Sequence, residues 1–242
     1  MLRGLAKGFK ELIYPKTCIC CKSHLKNKSS IEGFVCIQCW DKIPLNLPPF
    51  CQRCGRNLKK PNLHKNICSR CLKSVLHFDR AFSPCVYDGP TKEIIHAFKY
   101  KGKDYLGKIL AKPMVDFIKE YDLPMPFIDY IVPVPLHHTK LREREFNQAQ
   151  ILGKNIADIF TKELLTDALI RTRPTQTQTE LETDNRFLNV KNSFKVINED
   201  KIKNKNILLV DDVLTSGATA SEAALTLKNA GSRLVFVLTL AN

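Results

Sequence analysis

The chain has 242 residues, 44% of them hydrophobic, which is enough for one large domain or two modest ones with a real core. It carries 38 Lys and Arg against 24 Asp and Glu, a formal net charge of +14. No run of 18 apolar residues occurs, and charged residues are scattered through the first 15 positions. These features argue against a membrane-spanning helix and a signal peptide, so we expect a cytoplasmic protein.

The positive charge is concentrated in the N-terminal third. Residues 1–78 contain 15 Lys and Arg but 3 Asp and Glu, whereas residues 79–242 contain 23 and 21. Such a block is typical of a solvated basic face or of a surface that binds a polyanion.

The N-terminal third begins with a predicted amphipathic helix before Pro15. Its apolar residues recur at helical spacing: Leu2, Leu5, Phe9, Leu12 and Ile13. A helix docked on the protein's own core and a helix lying on a membrane surface are both compatible with this pattern.

Eight cysteines in the same third form four C-x-x-C pairs. The first double pair is separated by 14 residues and the second by 13; the pairs are Cys18/Cys21 with Cys36/Cys39, and Cys51/Cys54 with Cys68/Cys71. Two such pairs supply four thiolates for one tetrahedral Zn²⁺, and disulfides are uncommon in the cytoplasm. We predict two ribbons, residues 18–39 and 51–71, each with a structural zinc; one zinc with a degenerate second site is the alternative.

Aromatic and basic side chains flank the predicted ribbons. Phe34, Trp40 and Phe50 either fill the core of this small module or stack on nucleobases. The basic side chains beside them are candidates for polyanion contact: Arg53, Arg56, Lys59, Lys60 and Lys65.

From residue 79 onward, short apolar stretches alternate with helical patterns. The predicted strands are residues 81–87, 130–134, 168–171, 207–210 and 234–240. The predicted helices are residues 90–99, 103–119, 147–160 and 220–230. This alternation favours an α/β domain over residues 79–242, with a mainly parallel sheet, helices on both faces and a ligand at the carboxyl ends of the strands, preceded by a helix and double zinc-ribbon module over residues 1–78.

The most informative stretch, residues 206–219, runs from a predicted strand through a loop into a helix. Asp211 and Asp212 end the strand, and the helix N-terminus that follows offers backbone N–H groups to an anion. Adjacent carboxylates would repel a phosphate unless they accept hydrogen bonds from sugar hydroxyls or help to hold a divalent cation. A ribose 5-phosphate with Mg²⁺ meets both conditions, whereas a solvated strand end and a capped helix start would be the structural alternative.

Two further stretches are candidates for the same site. The turn after the strand at 131–134 is followed by basic residues, and its backbone N–H groups together with those cations could grip pyrophosphate. The candidate residues of this turn are Val134, Pro135, Leu136 and His137. The polar stretch that starts at Arg171 and Arg173 has the composition of a mobile lid over residues 171–178, although plain surface disorder would also explain it. Between them, Asn147 is a natural N-cap for the helix at 147–160.

Residues 206–219 resemble the 5-phosphoribosyl-1-pyrophosphate (PRPP) site of type I phosphoribosyltransferases. The chain also contains the C-x-x-C pairs, F-K-Y-x-G at 98–102, V-P-V-P-L at 132–136, F-N-Q at 146–148 and R-T-R-x-T-x-x-Q-T at 171–179. With this set of motifs it resembles the ComF/ComFC competence proteins over nearly its whole length. The family usually has R-G-F-N-Q, and Glu145 occupies the glycine position here.

The resemblance implies that Asp211 and Asp212 hold the ribose hydroxyls and Mg²⁺. The residues that it places around the 5-phosphate are Val213, Leu214, Thr215, Ser216, Gly217, Ala218 and Thr219. It implies a role in natural transformation, handling incoming single-stranded DNA at the cytoplasmic face of the inner membrane with other competence proteins. An active phosphoribosyltransferase with an unnamed acceptor and a zinc adaptor with a relict pocket are the alternatives.

Overall fold

The computed structural model describes residues 16–25, 30–59, 66–100, 102–174 and 183–242. The predicted N-terminal helix and residues 175–178 of the predicted lid lie outside these ranges. None of the helices in the described part has the length and apolar character needed to span a bilayer.

The described residues form short strands and helices in alternation. The strands are β1 (Ser30–Ile31), β2 (Val35–Cys36), β3 (Arg80–Phe82), β4 (Tyr130–Pro133), β5 (Glu163–Leu164), β6 (Leu169–Arg171), β7 (Phe194–Val196), β8 (Asn206–Val213) and β9 (Leu234–Ala241). The helices are α1 (Ile37–Asp41), α2 (Ser69–Lys73), α3 (Gly89–Phe98), α4 (Leu106–Glu120), α5 (His138–Arg144), α6 (Gln148–Phe160), α7 (Thr183–Val190), α8 (Glu199–Ile202) and α9 (Ala218–Asn229), with a 3-10 turn at Met125–Phe127.

The main sheet has five strands in the order β3-β9-β8-β4-β5, and every pairing in it is parallel. The central strand β8 is fully covered over 207–210, where no residue exceeds 2% exposure. An unbroken apolar run is what a strand buried on both faces requires. The predicted mainly parallel α/β fold is therefore confirmed.

Successive residues of β8 point to opposite faces of the sheet and enter two different cores. Leu208 and Val210 pack in the same cluster as helices α3, α4 and α6, which we call the first face. Ile207 and Leu209 pack with α9 on the second face. The alternation follows from the two-residue period of a strand, so both faces are covered by helices as predicted.

The cysteine-rich region is divided between these two cores. The first ribbon (18–39) shares a buried cluster with α4, whereas the second ribbon (51–71) shares one with β9 and α9. A backbone hydrogen bond from Asn46 N to Pro84 O (2.7 Å) ties the chain between the ribbons to the extension of β3, and one from Ala81 N to Arg53 O (2.7 Å) ties the second ribbon to β3 itself. The ribbons thus cover the α/β domain rather than standing apart from it.

Two predicted strands are shorter, or paired differently, than expected. The strand predicted at 81–87 ends at Phe82, and Cys85 then makes single bridges to Leu45 and Ala241. The strand predicted at 168–171 does not join the main sheet. It forms β6, which pairs antiparallel with β7 in a separate two-stranded ribbon, because Phe194 and Val196 bring a second apolar strand alongside it.

Candidate functional site

The eight paired cysteines come together as two groups of four sulfur atoms. Within each group all sulfurs lie within 4.8 Å of one another. Cys21 Sγ lies 3.7 Å from Cys36 Sγ, and Cys54 Sγ lies 3.6 Å from Cys68 Sγ. Four sulfurs at about 2.3 Å from a central ion stand roughly 3.8 Å apart in a tetrahedron, so each group fits Zn²⁺.

Backbone geometry supports thiolate ligands in both groups. The N–H of Cys36 donates to Cys18 Sγ and the N–H of Cys68 donates to Cys51 Sγ, each at 3.3 Å. The Ser23 hydroxyl, 2.6 Å from Cys21 Sγ, lowers the pKa of that thiol to about 6. Burial raises the pKa of the remaining Cys20 thiol to about 12, and its sulfur is not one of the four that converge in the first group.

The aromatic residues beside the ribbons mostly serve the core. Phe34 stacks on Tyr105 with ring centroids 4.1 Å apart, and Phe50 packs edge-on against Phe117 at 5.7 Å. Trp40 is partly buried against the same cluster. Of the two explanations offered by the sequence, these contacts favour core packing.

Two of the basic residues are also engaged by the protein itself. Arg53 donates to Leu76 O at 2.6 Å. Arg56 donates to Leu214 O at 2.8 Å and to Thr215 O at 2.6 Å, on the loop that follows β8. Lys59 is exposed, and Lys60 and Lys65 lie outside the described residues.

The carboxylate pair, Asp211 and Asp212, lies at the carboxyl end of β8. The strand runs three residues further than predicted, to Val213, and pairs with β9 up to Ala241. The N–H of Asp212 donates to Asp211 Oδ1 at 2.8 Å. Both carboxylates are therefore fixed by regular strand backbone at the edge where a parallel sheet binds ligands.

Residues 213–219, the phosphate loop, turn directly into helix α9. Gly217 precedes the first residue of the helix with φ +84°, a left-handed conformation that glycine adopts without strain. Ser216 Oγ accepts a hydrogen bond from Ala218 N at 3.3 Å. The loop therefore delivers the positive end of a 12-residue helix to the carboxyl edge of the sheet.

Lys99 completes the charge pattern, although no sequence motif selected it directly. Its Nζ lies 2.9 Å from Asp212 Oδ2, with side-chain exposures of 26% and 12%. Burial opposes the charge on Lys99, but the Asp212 carboxylate more than offsets it and raises the lysine pKa. The signal available in the sequence was the position of Lys99 within F-K-Y-x-G, immediately after helix α3.

Three further cations influence the same region: Lys140, Arg144 and Arg171. Burial lowers the pKa of Lys140, and so do the nearby charges of Arg144 and Arg171. Burial likewise lowers the pKa of Arg171, while the Asp211 carboxylate acts in the opposite direction. With Lys99 these residues form what we call the cationic cluster.

The carboxylate pair and the cationic cluster shape the charge of Asp211. Burial and the adjacent Asp212 carboxylate raise the pKa of Asp211 to about 7, although Lys99 and Arg171 partly counteract the shift. Asp211 therefore changes its protonation state near neutral pH.

The predicted pyrophosphate turn lies one strand away from the carboxylate pair. Val134 N donates to Val210 O at 2.9 Å, which extends the β4–β8 pairing to the start of the turn. His137 is buried and accepts a hydrogen bond from Thr139 N at the start of α5. Burial, His138 and Arg171 lower the His137 pKa, so the imidazole is neutral at pH 7.

The F-N-Q motif connects this turn to Lys99. Asn147 caps α6 by accepting from Ala149 N at 3.0 Å, as predicted, and its amide also donates to Val134 O at 3.0 Å. Gln148 donates to Phe98 O at 3.3 Å and accepts from Arg144 Nη1 at 3.0 Å. One dipeptide therefore positions the turn after β4, the end of α3 and one member of the cationic cluster.

Glu145 occupies the position where the family usually has glycine. Its φ is +69°, and its N–H donates to Leu141 O at 2.7 Å to close helix α5. The backbone thus keeps the left-handed conformation that glycine favours, at a cost of about 1 kcal/mol for a residue with a side chain.

Arg173 differs from the other predicted site residues. Its guanidinium donates to Lys191 O, near the start of β7, and the side chain is exposed. In the described structure Arg171 lies with the cationic cluster, whereas Arg173 is bound to backbone away from it.

Comparisons with known proteins agree with these observations. A family of double zinc ribbon domains matches residues 9–75. Partial structural matches include a B. subtilis glutamine PRPP amidotransferase, with 18% identity and a TM-score of 0.35, covering 60% of this chain and 26% of its own. At that score the overlap carries no weight for the ligand.

The curated relatives span most of the chain. Competence protein F of Haemophilus influenzae is 28% identical and covers 88% of this chain and 91% of its own. DNA utilization protein YhgH of Salmonella typhi is 30% identical, with coverages of 78% and 82%. Competence protein ComFC of Bacillus subtilis is 26% identical, with coverages of 78% and 76%.

The fold and the two cysteine groups define an α/β protein with a mainly parallel sheet and an N-terminal double zinc ribbon. Within that class the chain belongs to the ComF/ComFC competence protein family.

Both cysteine groups should bind metal independently. We expect the purified protein to contain two zinc ions per chain, and Cys54→Ser with Cys71→Ser to contain one, because each group supplies its own four thiolates. Cys21→Ser with Cys39→Ser is the matched variant in the first ribbon. Elemental analysis measures the ratio, and a metal-free protein with the native circular dichroism spectrum would contradict the assignment.

Proposed function

We propose that the protein binds PRPP with Mg²⁺ in the pocket at the carboxyl edge of its sheet and acts in the uptake and use of DNA, contacting single-stranded DNA through its basic N-terminal third. The observation that carries the pocket assignment is the convergence of a carboxylate pair, a helix N-terminus and a cationic cluster at the ends of β4 and β8. A phosphorylated sugar with further phosphate charge requires this combination.

The phosphate loop suits the 5-phosphate. The first turn of α9 presents its N–H groups and dipole at the loop, and Gly217 allows the main chain to approach an anion closely. The loop also contains the hydroxyls of Thr215, Ser216 and Thr219, which are suitable donors.

The carboxylate pair suits the ribose hydroxyls and Mg²⁺. Oxygen ligands are what Mg²⁺ prefers, and one or two carboxylates together with phosphate oxygens are its usual protein environment. Bound Mg²⁺ would neutralise phosphate charge beside Asp211 and Asp212. Lys99 must then release Asp212 or share it, and its ammonium group becomes available to the bound anion.

The cationic cluster suits the pyrophosphate. Burial and the nearby charges of Arg144 and Arg171 lower the pKa of Lys140. An anion bound among these cations would relieve their mutual repulsion. The neutral His137 and the N–H of Leu136 belong to the turn beside them, whereas the N–H of Val134 is already donated to Val210 O in the sheet. We therefore place the pyrophosphate between this turn and Arg171.

The role in DNA use is supported by the relatives, whose names are competence proteins and DNA utilization proteins. The charge distribution supports contact with single-stranded DNA, because most of the excess charge lies in residues 1–78. Lys59 and Arg70 of the second ribbon and Lys73 just after it are exposed and accessible to such a partner. We place this activity in the cytoplasm, at the inner face of the inner membrane, with other competence proteins as partners.

Catalysis of phosphoribosyl transfer is the second candidate, and the cationic cluster is the observation that favours it. Cations beside a departing pyrophosphate stabilise the charge that develops as the glycosidic bond breaks. Incubation with PRPP, Mg²⁺ and a panel of bases and oligonucleotides, followed by pyrophosphate detection, tests it. Pyrophosphate release that depends on one acceptor would identify both the reaction and the substrate.

Replacing the carboxylate pair should abolish PRPP binding. We expect Asp211→Asn with Asp212→Asn to weaken binding about a hundredfold or more in calorimetry with Mg²⁺, because two charged hydrogen-bond acceptors are lost from a buried site. Asp158→Asn, which removes an exposed carboxylate paired with Lys154, is the control. Equal affinity of the double variant and the wild type would refute the pocket assignment.

PRPP affinity should rise with pH up to about 7 and then level off. With a pKa of about 7 in the empty site, Asp211 is protonated below that pH, and it must lose the proton to accept sugar hydroxyls or bind Mg²⁺. The affinity should therefore fall about tenfold for each pH unit below 7.

Calorimetry between pH 5.5 and 8.5 measures this dependence. Asp211→Asn shows how much of the slope belongs to titration of the ligand itself. Identical slopes for the variant and the wild type would mean that Asp211 is not the titrating group.

Binding to single-stranded DNA should weaken steeply as salt rises. Each phosphate contact contributes a slope of about −0.7 to the logarithm of the binding constant against the logarithm of salt concentration. Arg70→Gln with Lys73→Gln should reduce the slope by about 1.4, whereas Lys154→Gln on α6 should leave it unchanged. Fluorescence anisotropy with a labelled oligonucleotide measures the binding constant at each salt concentration. Absent or salt-insensitive binding would point to a protein partner.

A further inference from the structure

The back of the phosphate loop is covered by the second ribbon. Residues 214–217 are contacted by the second cysteine group and by the stretch of chain that follows its last cysteine. The side of the loop opposite the proposed phosphate is thus in contact with a metal-binding element that lies about 150 residues earlier in the sequence.

Arg56 makes the polar part of this contact. It stands two residues after Cys54, and its Nη2 donates to Leu214 O and Thr215 O. Two consecutive loop carbonyls are thereby turned toward the ribbon. The guanidinium is a planar, permanently charged donor, so it holds them more firmly than a neutral donor would.

The position of Arg56 is set by the turn that carries two of the cysteines. Cys51 N donates to Arg56 O at 2.7 Å, and Gly55 N donates to Cys51 O at 3.0 Å. Gly55 has φ +71°, and a Cβ there would lie 2.4 Å from Ala81 O, so the turn is also pressed against β3. A metal ion bound by Cys51 and Cys54 would close this turn and fix the direction of the Arg56 side chain.

Apolar and backbone contacts complete the support. A Cβ at Gly217 would lie 3.3 Å from Leu76 Cδ2 and 3.8 Å from the Phe78 ring, so the loop backbone rests on these two side chains. Between them, His77 N donates to Ser221 Oγ, in the first turns of α9, at 3.0 Å. The chain that leaves Cys71 thus supports both the loop and the helix N-terminus.

The first cysteine group is a natural comparison, because it packs with α4 on the other face of the sheet. It also contains a basic residue directly after a C-x-x-C pair: Lys22 Nζ donates to Ile19 O at 2.7 Å. That contact stays within the first ribbon. The two ribbons therefore offer similar local chemistry but different neighbours.

We propose that Arg56 is a positioning residue for the phosphate loop and that metal binding by Cys51, Cys54, Cys68 and Cys71 is coupled through it to ligand binding, whereas the first cysteine group is not coupled. This inference rests on the proposed PRPP site. Coupling is reciprocal, so metal at the second group raises ligand affinity and bound ligand retains the metal.

Substitution of Arg56 tests the positioning role directly. We expect Arg56→Met to keep both zinc ions, to speed hydrogen exchange of the amides at 214–220 in the ligand-free protein, and to weaken PRPP binding about tenfold or more. Arg56→Lys, which keeps the charge but cannot reach both carbonyls equally, should recover part of each effect. Lys22→Met should match the wild type in zinc content, loop exchange and affinity.

Each outcome decides the inference. If the loop amides of Arg56→Met exchange at the wild-type rate, the positioning role is overturned. It is also overturned if exchange is faster to the same extent over the whole sheet, which would indicate general destabilisation. If the wild type itself does not bind PRPP, the proposed function fails, but the exchange comparison still decides whether Arg56 positions the loop.

Metal extraction tests the reciprocal coupling. We expect a chelator to remove the zinc of the second cysteine group more slowly when PRPP and Mg²⁺ are bound, and the zinc of the first group at an unchanged rate. The variant Cys21→Ser with Cys39→Ser keeps only the second group, so PRPP should slow the loss of its zinc. The variant Cys54→Ser with Cys71→Ser keeps only the first group, so PRPP should leave the rate of zinc loss unchanged. Equal protection of both zinc ions, or protection of neither while PRPP binds, overturns the coupling.

Discussion

The parallel sheet imposes the main constraint on this molecule, because both of its faces must be covered for its backbone and apolar side chains to leave water. Helices α3, α4 and α6 cover the first face and α9 covers the second. Helix α9 can approach the sheet closely because its buried residues are small, including Ala220, Ala223 and Ala224. The first ribbon packs in the buried cluster of the first face and the second ribbon in that of the second face, so two metal modules with similar cysteine spacing have different surroundings.

The carboxyl edge of the sheet has the opposite character. Four cations and two carboxylates meet there in a partly buried space, and one ion pair, Lys99 with Asp212, joins the two groups. Asn147 and Gln148 donate to the carbonyls of Val134 and Phe98, and Gln148 accepts from Arg144, so this dipeptide fixes the turn after β4, the end of α3 and one of the cations. The fold thus holds like charges together at some cost in stability, which is typical of a site built for a multiply charged ligand.

Local patterns were sufficient to predict most of the fold and part of the site. The run at 207–210, the glycine at 217 and the cysteine spacing each dictate a short-range geometry, so β8, α9 and both sulfur groups could be foreseen. The roles of Lys99 and Arg56 could not be foreseen, because Lys99 contacts a residue 113 positions away and Arg56 one about 158 positions away. Sequence periodicity carries no information about such distant contacts. The pairing of β6 with β7 was missed for the same reason, since an apolar stretch does not specify which strand lies beside it.

The position of β9 determines the order in which the molecule can be assembled. β9 is the last strand along the chain, yet it lies between β3 and β8, with Arg80 opposite Phe236. During synthesis β3 therefore has no partner until almost everything after it has been made. The cysteine groups, by contrast, draw their four ligands from nearby sequence, so they can take up metal before the sheet is complete.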